Sequence, residues 1–507
     1  MNDRLTIGRW LSDRARTTPD RVAIRFLGAE LTYAELDRRS TRLAAGLAER
    51  GVRRGDRLAT LTANSPDHVV VLFACARLGA ILQPISWRLA PPEIAYQLAD
   101  AEPSLLLVSE EHHDLAAAST TVLQGGPHAL ESGAEIARLG DPALEVDAEA
   151  PAVAEDDDPL LLVYTSGTTG KPKGALLTHA NCFWTNLSFD RTAGVREDDV
   201  VLQVLPQFHA GGWNVQPLLA WWKGATVVIE PAFDPARTLA LIAEERVTTM
   251  MGVPATYLFL AEAPGFGDAD LSSLRLVVVG GAPMPASLLE TWQERGVEIV
   301  QGYGLTEAAP NVLCLPPDDA RRKLGFAGKP YPHVDVALRD PETGLVPDGR
   351  GVGELLVRGP NVFAGYWRNP EATEAAFVDG WLRTKDVAER DDEGFFRIVG
   401  RLEELVISGG ENVYPAEIEN VLHAHPDVVE AAVVGVPDER WGEVCAAFVV
   451  LREGATADGE DLRDHCRERL ARFKVPRTVM LVEELPRSSM GKVQRDELRA
   501  SATGAAR

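Results

Sequence analysis

Short apolar runs separated by turn residues constrain the fold of this chain more than any other feature. They occupy residues 105–108, 160–163, 200–205, 226–229 and 276–279. Stretches with apolar residues at helical spacing lie between such runs; one of them, residues 33–49, ends just before Gly51, a residue typical of helix ends. Runs this short are typical of strands covered on both faces by helices in a parallel sheet. The sequence therefore predicts an α/β fold, with βαβ-type sheets covered by helices in a large N-terminal part.

The pattern changes near residue 386, shortly before a second, smaller unit. Residues 387–390 and 395–399 flank an Asp-Asp-Glu-Gly turn, which indicates a β-hairpin. Past residue 400, short helical and strand patterns alternate over about a hundred residues, enough for an independent domain. We therefore predict an N-terminal domain of residues 1–402 and a small α+β C-terminal domain of residues 403–507.

The chain is strongly acidic, with 51 Lys and Arg residues, 75 Asp and Glu residues and a formal net charge of −24. Such a surface opposes binding to nucleic acid or anionic lipid, so the cations that hold an anionic ligand must be concentrated locally. Five widely spaced cysteines without a Cys-x-x-Cys pair predict reduced thiols and no zinc site. The N-terminus lacks the apolar core of a signal peptide, and no stretch suits a membrane span. We expect a cytoplasmic protein without an integral membrane segment or a nucleic-acid partner.

One segment, residues 164–174, carries a strong chemical signal. Its sequence, Tyr-Thr-Ser-Gly-Thr-Thr-Gly-Lys-Pro-Lys-Gly, contains three glycines, four serine or threonine hydroxyls and two lysines. Glycines let backbone N–H groups approach a ligand closely, hydroxyls donate further hydrogen bonds, and ammonium groups balance negative charge, which together suit a polyphosphate. The spacing differs from that of the common P-loop, and apolar runs on both sides indicate that the segment connects two strands.

Further glycine-rich and charged segments follow this loop in order. They are Pro-Gln-Phe-His at 206–209, Gly-Gly-Ala-Pro at 280–283, Gln-Gly-Tyr-Gly-Leu-Thr-Glu at 301–307, Asp-Gly-Trp at 379–381 leading to Asp386, Gly-Arg at 400–401, Ser-Gly-Gly-Glu-Asn-Val-Tyr-Pro at 408–415 and Pro-Arg-Ser-Ser-Met-Gly-Lys at 486–492. With these segments the chain resembles the adenylate-forming superfamily of acyl-CoA synthetases, luciferases and peptide-synthetase adenylation domains. Within it, the chain is most similar to bacterial fatty-acyl and aryl acyl-CoA ligases.

The resemblance implies a nucleotide site. Tyr303 would stack on adenine, and Asp386 would accept from the ribose hydroxyls with help from Arg401. Thr306 would contact a phosphate oxygen, and Glu307 would hold Mg²⁺, a cation that prefers oxygen ligands. The implied nucleotide-binding set is Thr165, Ser166, Gly167, Thr168, Thr169, Lys173, Gly281, Ala282, Pro283, Gln301, Gly302, Tyr303, Asp386 and Arg401.

The implied reaction converts a carboxylate, a poor electrophile, into a mixed anhydride with AMP that a thiol then attacks. The implied catalytic residues are Lys492, Thr306, Glu307 and His209. Lys492 would reach the carboxylate and the α-phosphate in the first step. The C-terminal domain, as a mobile lid, would then rotate about Glu403 and bring the 408–410 loop to the site. Coenzyme A would pass along Ser408, Gly409 and Gly410, with ATP or an acyl-adenylate and Mg²⁺ as the other implied ligands.

The resemblance also places an acyl pocket around five residues. They are His209, Gly211, Trp213, Gly280 and Gly304. Peptide-synthetase domains carry an aspartate where this chain has His209, and an imidazole does not replace that carboxylate as the partner of an α-ammonium group. The sequence therefore favours an apolar carboxylic acid without an α-amine. The nearby tryptophans suggest an aromatic wall, although tryptophan also fills protein cores.

Two residues depart from the family pattern. Lys385 stands where the family usually has glycine, next to the implied ribose carboxylate, and Glu403 stands where the hinge is commonly Lys or Asp. The bulk and charge of Lys385 raise the hypothesis of a ligase with impaired adenylation that uses a pre-made acyl-adenylate. Transfer to a carrier-protein phosphopantetheine and a non-catalytic acyl-nucleotide-binding protein are further alternatives. The acid and the oligomeric state, for which a homodimer is one option, stay open.

Overall fold

A computed structural model of the chain describes residues 6–125, 135–151, 153–165, 171–282, 284–340, 343–408, 411–438, 440–487 and 493–505. Within them the α-helices are α1 (Ile7–Thr17), α2 (Tyr33–Glu49), α3 (Pro66–Leu78), α4 (Pro91–Ala101), α5 (His113–Gly125), α6 (His179–Thr192), α7 (Gly211–Asn214), α8 (Pro217–Lys223), α9 (Pro235–Glu244), α10 (Pro254–Glu262), α11 (Ala286–Glu294), α12 (Pro370–Ala375), α13 (Pro415–His423), α14 (Gly459–Arg467) and α15 (Arg495–Ala505).

The strands complete a mixed α/β architecture. They are β1 (Val22–Phe26), β2 (Ala29–Thr32), β3 (Arg57–Leu61), β4 (Ile81–Ile85), β5 (Leu105–Val108), β6 (Glu135–Arg138), β7 (Pro159–Thr165), β8 (Lys173–Thr178), β9 (Val200–Gln203), β10 (Thr226–Ile229), β11 (Thr249–Gly252), β12 (Leu276–Val279), β13 (Ile299–Gly304), β14 (Asn311–Cys314), β15 (Lys329–Pro330), β16 (Asp335–Asp340), β17 (Gly344–Leu345), β18 (Gly351–Arg358), β19 (Gly365–Tyr366), β20 (Phe377–Val378), β21 (Trp381–Arg390), β22 (Phe396–Arg401), β23 (Val406–Ser408), β24 (Glu411–Val413), β25 (Val428–Asp438), β26 (Gly442–Leu451) and β27 (Thr478–Leu481).

Two large sheets form most of the N-terminal part. One has the strand order β15-β14-β13-β12-β11-β9-β10-β1-β2, and its central strands from β13 to β1 run parallel. The other has the order β19-β8-β7-β4-β3-β5-β6, with parallel pairing from β7 to β6 and antiparallel pairing at β8 and β19. The predicted buried parallel strands are thus confirmed, with antiparallel strands added at sheet edges.

A third sheet, in the order β17-β16-β18-β21-β20 with β22 beside β21, contains the predicted 387–399 hairpin. The fourth sheet, β24-β23-β26-β25 with β27 beside β26, lies entirely after residue 405. Its strands and helices α13 to α15 bury two apolar clusters of their own, whose members all follow residue 405. Separate cores of this kind allow the C-terminal part to pack independently of the large sheets.

Helix α3 shows how local sequence fixes an element. Ser65 precedes it and accepts a hydrogen bond from the backbone N–H of His68, and Pro66 occupies the first turn, where no intrahelical donor is lost. Gly79 follows in the left-handed conformation, with φ of 67°. The predicted helix 33–49 is α2 in the structure; the Thr32 hydroxyl accepts a hydrogen bond from the backbone N–H of Glu35 at its start, and Gly51 follows its end with a positive φ of 94°.

Buried His179 joins the start of α6 to the start of α1. Its Nδ1 accepts a hydrogen bond from the backbone N–H of Ile7 at 3.1 Å, and its side chain is fully buried. Burial lowers the pKa of His179 to about 4. The unfolded chain has the ordinary value of about 6.5, so between these values it binds a proton that the folded chain rejects. Stability therefore falls as the pH falls through this window.

We expect His179 to remove about 2 kcal/mol from the free energy of unfolding between pH 7 and pH 5. Urea unfolding of the wild type and of His179→Gln at both pH values measures this contribution. His179→Gln should lose less stability on acidification, because glutamine does not titrate. The exposed His113→Gln serves as the matched control and should behave as the wild type. Equal losses in wild type and His179→Gln would contradict the assignment.

Candidate active site

Several predicted site residues lie at the carboxyl ends of the central parallel strands. Gly252 of β11 pairs with Val279 of β12, and Val279 pairs with Gln301 of β13. Gly280 and Gly281 follow β12 directly, and Gly281 has a positive φ of 83° that favours glycine. Ligands bind at this edge in open parallel sheets. The strand register therefore brings two predicted motifs, those that begin at Gly280 and at Gln301, to one edge.

The 164–174 segment connects the antiparallel strands β7 and β8, as predicted. Thr165 and Lys173 are cross-strand neighbours where the connection begins and ends. The Lys173 ammonium lies 5.5 Å from the ring centre of Tyr366. Some predicted site residues lie outside the described residues, so their roles stay predictions: Ser166, Gly167, Thr168, Thr169, Pro283, Gly409, Gly410 and Lys492.

Glu307 lies with Thr306 on a single 3₁₀ turn directly after β13. Its carboxylate accepts hydrogen bonds from the Tyr366 hydroxyl at 2.9 Å and from the Thr165 hydroxyl at 3.4 Å. Burial and the charge of Glu307 raise the pKa of Tyr366, so the phenol stays protonated and donates. The Glu307 carboxylate is thereby held beside the start of the glycine-rich connection.

The Glu307 carboxylate beside the glycine-rich connection fits a Mg²⁺ ion that is bound by both the protein and a nucleotide. Mg²⁺ commonly binds one or two carboxylates and takes its remaining ligands from water and substrate phosphates. Across the described residues, no group of three or more His, Cys, Asp or Glu side chains forms an all-protein metal site. Glu307, a single oriented carboxylate, can therefore supply the protein ligand of a Mg²⁺ ion whose other ligands are water and phosphate oxygens.

Asp386 on β21 is buried, with 5 % exposure, and is held from two sides. The Tyr303 hydroxyl donates to one carboxylate oxygen at 2.5 Å, and Arg401 Nε lies 3.0 Å from the other. Burial and the charge of Asp386 raise the pKa of Tyr303. Burial alone would lower the pKa of Arg401, but the charge of Asp386 and other nearby acids raises it. A carboxylate offers about four lone-pair sites, so two donors do not exhaust the acceptor capacity of Asp386.

Gln301 supplies an independent sign of a ligand near this cluster. It is 7 % exposed and lies on β13, two residues before Tyr303. Its Nε2 has no hydrogen-bond partner among the described residues. A buried donor left unpaired costs about 1–3 kcal/mol, and an acceptor on a bound ligand would remove that cost. A nucleotide offers such acceptors.

Two of the predicted acyl-pocket glycines, Gly280 and Gly304, lie in crowded surroundings. A Cβ added to Gly280 would come within 3.0 Å of Met251 Cε, and one added to Gly304 would lie 1.6 Å from the Pro310 carbonyl oxygen. Gly211 begins the short helix α7, two residues after His209. The glycine at 304 is therefore required by backbone packing, whatever its contact with an acyl group.

The tryptophans of this region occupy the core. Trp213 and Trp221 are fully buried, and the ring of Trp213 packs edge-on against His68 with a centroid distance of 5.0 Å. Trp222 stacks on Trp10 at 4.3 Å. The structure thus shows packing roles for these rings, and a contact between Trp213 and the acyl group stays a prediction.

Family comparisons match nearly the whole chain. The model of the AMP-binding enzyme family matches residues 11–367, and that of the AMP-binding enzyme C-terminal domain matches residues 417–492. The chain belongs to the AMP-binding enzyme family. Two curated relatives are feruloyl-CoA synthase from Amycolatopsis sp, 44 % identical over 97 % of this chain and 98 % of that protein, and indoleacetate–CoA ligase from Aromatoleum aromaticum, 42 % identical over 98 % of each.

Solved structures of AMP-binding enzymes share the fold. ATP-bound MatB from Rhodopseudomonas palustris is 35 % identical, with a TM-score of 0.88 over 98 % of this chain and 99 % of that chain. The o-succinylbenzoate CoA synthetase MenE from Bacillus subtilis, in complex with the acyl-adenylate intermediate OSB-AMP, is 34 % identical, with a TM-score of 0.86 over 97 % of each chain. The predicted α/β class is confirmed.

The curated relatives show the class of reaction. The chain is an AMP-forming acyl-CoA ligase, and ATP, Mg²⁺ and coenzyme A are the ligands of this reaction. The comparisons support this interpretation and give no support to the alternatives of impaired adenylation or of a carrier-protein acceptor. Within the described residues, no helix has the length and apolar character that a membrane crossing requires.

The two departures from the family pattern lie together in this AMP-binding enzyme. Lys385 has a φ of 60°, a conformation that glycine adopts most readily, which accounts for the glycine that is usual there. Its ammonium lies 2.6 Å from Glu403 Oε1, and both side chains are about half-exposed. The pair thus directs the Lys385 charge toward the predicted hinge residue, and each side chain balances the charge of the other.

The sequence does not indicate the partner that orients Glu307, nor two polar residues near the predicted acyl pocket. Tyr366 stands 59 positions from Glu307 in sequence, and its two-residue strand carries no motif. Gln203 and Gln216 are buried polar residues beside α7. The glutamine inside the apolar run 200–205 was the one available signal, because a polar side chain in a fully buried strand needs a partner.

Proposed function

We propose that this AMP-forming ligase activates a compact, apolar or aromatic carboxylic acid without an α-amine at the carboxyl edge of the large sheet. One observation carries the proposal. The end of β13 and the turn after it form a short segment in which Tyr303 bonds to Asp386 and Glu307 bonds to Thr165. One backbone segment therefore positions a residue of the proposed ribose site and a residue of the proposed phosphate site.

In the proposed reaction, the acid carboxylate displaces pyrophosphate from the α-phosphate of ATP. Asp386 accepts hydrogen bonds from the ribose, with Arg401 supporting it, while Thr306 and the 164–174 connection donate to the phosphates. Mg²⁺ held by Glu307 would supply positive charge to the phosphate oxygens. Lys173 and Lys492 supply ammonium groups to the approaching anions, whose mutual repulsion is the main obstacle to the step.

The aromatic relatives support the proposed class of acid. Feruloyl-CoA synthase and indoleacetate–CoA ligase are named for aromatic acids, and both align over nearly the whole chain. His209 holds the position where an aspartate would select an α-ammonium group. We infer that His209, Gly211, Trp213, Gly280 and Gly304 border the acyl group.

The thioester step is proposed to follow a domain rotation. The N-terminal domain comprises residues 1–402 and the C-terminal domain residues 403–507, a division supported by the separate apolar clusters after residue 405. Rotation about Glu403 would withdraw Lys492 and present Ser408, Gly409 and Gly410 along the path of the coenzyme A arm. The AMP group then leaves as the thiol attacks the acyl carbon.

A panel of acids tests the proposal. Aromatic, short aliphatic, long aliphatic and α-amino acids are each offered with ATP, Mg²⁺ and coenzyme A, and AMP release and thioester formation are measured separately. Compact aromatic acids should give both products at rates well above the α-amino acids. Turnover of α-amino acids alone, or AMP release without thioester, would contradict the proposal.

Cytoplasmic location and a homodimer are further proposals for this enzyme. Both are compatible with the acidic composition. Fractionation of expressing cells and light scattering of the purified chain measure them directly.

A further inference from the structure

A small cavity lies at the carboxyl end of β9 and contains two buried glutamines. It lies between β9, β11 and the α7–α8 segment and has a volume of about 10 Å³, close to the space that one water molecule needs. Gln203 and Gln216 line it together with Gly211, Gly212 and Met251, and its other lining residues are apolar. A cavity of this size admits one water-sized group, so it suits a single hydroxyl or N–H at the far end of a compact acid better than a long alkyl chain.

The cavity adjoins the proposed acyl pocket. Gly211 belongs to both groups of residues. Met251, which lines the cavity, also lies against Gly280, whose added Cβ would come within 3.0 Å of Met251 Cε. An acid whose carboxylate faces the phosphates at the strand ends would therefore direct its far end toward this cavity.

Gln203 presents an acceptor. It is 3 % exposed, and its Nε2 donates to the Gly212 carbonyl oxygen at 2.8 Å. A carbonyl oxygen only accepts hydrogen bonds, so the amide cannot be turned around without losing this contact. Its Oε1 has no hydrogen-bond partner among the described residues. Gln203 thus leaves a fixed, buried acceptor unsatisfied.

Gln216 leaves a second polar group unsatisfied. It is 1 % exposed, and its Nε2 donates to the Thr249 hydroxyl at 2.6 Å, while its Oε1 finds no partner in the described part of the chain. Because a hydroxyl both donates and accepts, the Gln216 amide can turn and offer an N–H instead. A ligand hydroxyl, which also does both, can pair with Gln203 and Gln216 together.

We propose that Gln203 and Gln216 form a specificity subsite for a hydrogen-bond donor at the end of the acid remote from its carboxylate. The inference rests on the proposed function and narrows its substrate class to aromatic acids with a ring hydroxyl or ring N–H. An acid that lacks the donor is penalised because it leaves the fixed, buried acceptor of Gln203 without a partner. Sites built to bond a substrate hydroxyl discriminate strongly against the analogue without it for this reason.

The test compares acids that differ in one group. Cinnamate, its 3- and 4-hydroxy derivatives and its 4-methoxy derivative are assayed for AMP release with ATP and coenzyme A. The wild type should prefer one hydroxy acid over cinnamate by at least about tenfold in kcat/KM, and the methoxy acid should gain no such preference, since it offers no donor. Gln203→Met and Gln216→Met should each reduce that ratio toward one, through KM for the acid and without change in KM for ATP.

Gln83→Met is the matched control. Gln83 is fully buried, donates through Nε2 to the Gln97 carbonyl oxygen and has an Oε1 without a partner in the described residues, but it does not line the cavity. This variant should keep the wild-type ratio, because loss of a buried amide elsewhere changes stability alone. If Gln203→Met does not fold, Gln216→Met decides the question.

Each outcome is decisive. A wild type that treats hydroxy and unsubstituted acids alike, as expected if the cavity holds only water, would overturn the subsite while leaving the ligase function intact. A preference that persists in both glutamine variants would overturn it as well. Absence of AMP release with every acid would overturn the proposed function and the subsite together.

Discussion

Replacing Glu307 by glutamine is expected to slow adenylation by a factor on the order of 10²–10³, the largest effect of any conservative change at the site. Glutamine keeps the size of the side chain and an oxygen that can accept from Tyr366 and Thr165, whose hydroxyls lie 2.9 Å and 3.4 Å from the carboxylate. It removes the negative charge with which the site would hold Mg²⁺. The loss should therefore appear in chemistry and not in folding.

Two half-reactions separate this effect from a general loss of activity. Pyrophosphate release from acid and ATP reports adenylation, and thioester formation from a supplied acyl-adenylate and coenzyme A reports the second step. Glu307→Gln should impair the first far more than the second. Tyr366→Phe is the matched variant, because it removes the orienting hydroxyl and leaves the charge, so its effect on adenylation should be smaller. Equal losses in both half-reactions for Glu307→Gln would contradict the assignment.

Lys492→Ala should likewise slow adenylation by a factor on the order of 10²–10³ while thioester formation from a supplied acyl-adenylate continues at close to the wild-type rate. The physical reason is the charge on the reactants. A carboxylate and a polyphosphate repel each other as they approach, and an ammonium group between them stabilises the transition state. The second step joins a neutral acyl carbon to a thiol, for which that charge is not needed.

Lys474→Ala controls for loss of a lysine in the same part of the chain. The Lys474 ammonium is paired with Glu417 at 2.7 Å, and this residue has no assigned role in the reaction. Both half-reactions should run normally in this variant. A Lys492→Ala enzyme that adenylates at the wild-type rate, or that loses both steps equally, would remove Lys492 from the proposed mechanism.

Much of the fold followed from local sequence because its signals are local. The apolar runs at 105–108, 226–229 and 276–279 became strands β5, β10 and β12 with the predicted bounds, since a fully buried strand needs apolar residues throughout. The helix 33–49 became α2 for the same kind of reason. The antiparallel edges of the two large sheets were not predicted, because strand order depends on contacts between distant segments.

The candidate site divides in a similar way. The family resemblance implied Glu307, Tyr303 and Asp386, because the motifs that carry the resemblance are short and can be recognised from a few neighbouring residues. It did not identify Tyr366 as the donor to Glu307, or pair the unusual Lys385 with the unusual Glu403 at 2.6 Å. The members of these pairs are 59 and 18 positions apart in sequence, so no short motif indicates that they are in contact.

The order of residues alone thus determined the α/β class and, through its resemblance to a known family, the kind of chemistry, since both depend on short patterns of polarity and glycine. Only the tertiary structure decided that Trp213 is core, that Lys385 pairs with Glu403, and that Gln203 and Gln216 meet in one cavity with amide oxygens lacking partners among the described residues. Burial and unsatisfied hydrogen bonds are properties of the packed chain, in which segments far apart in sequence exclude water from one another.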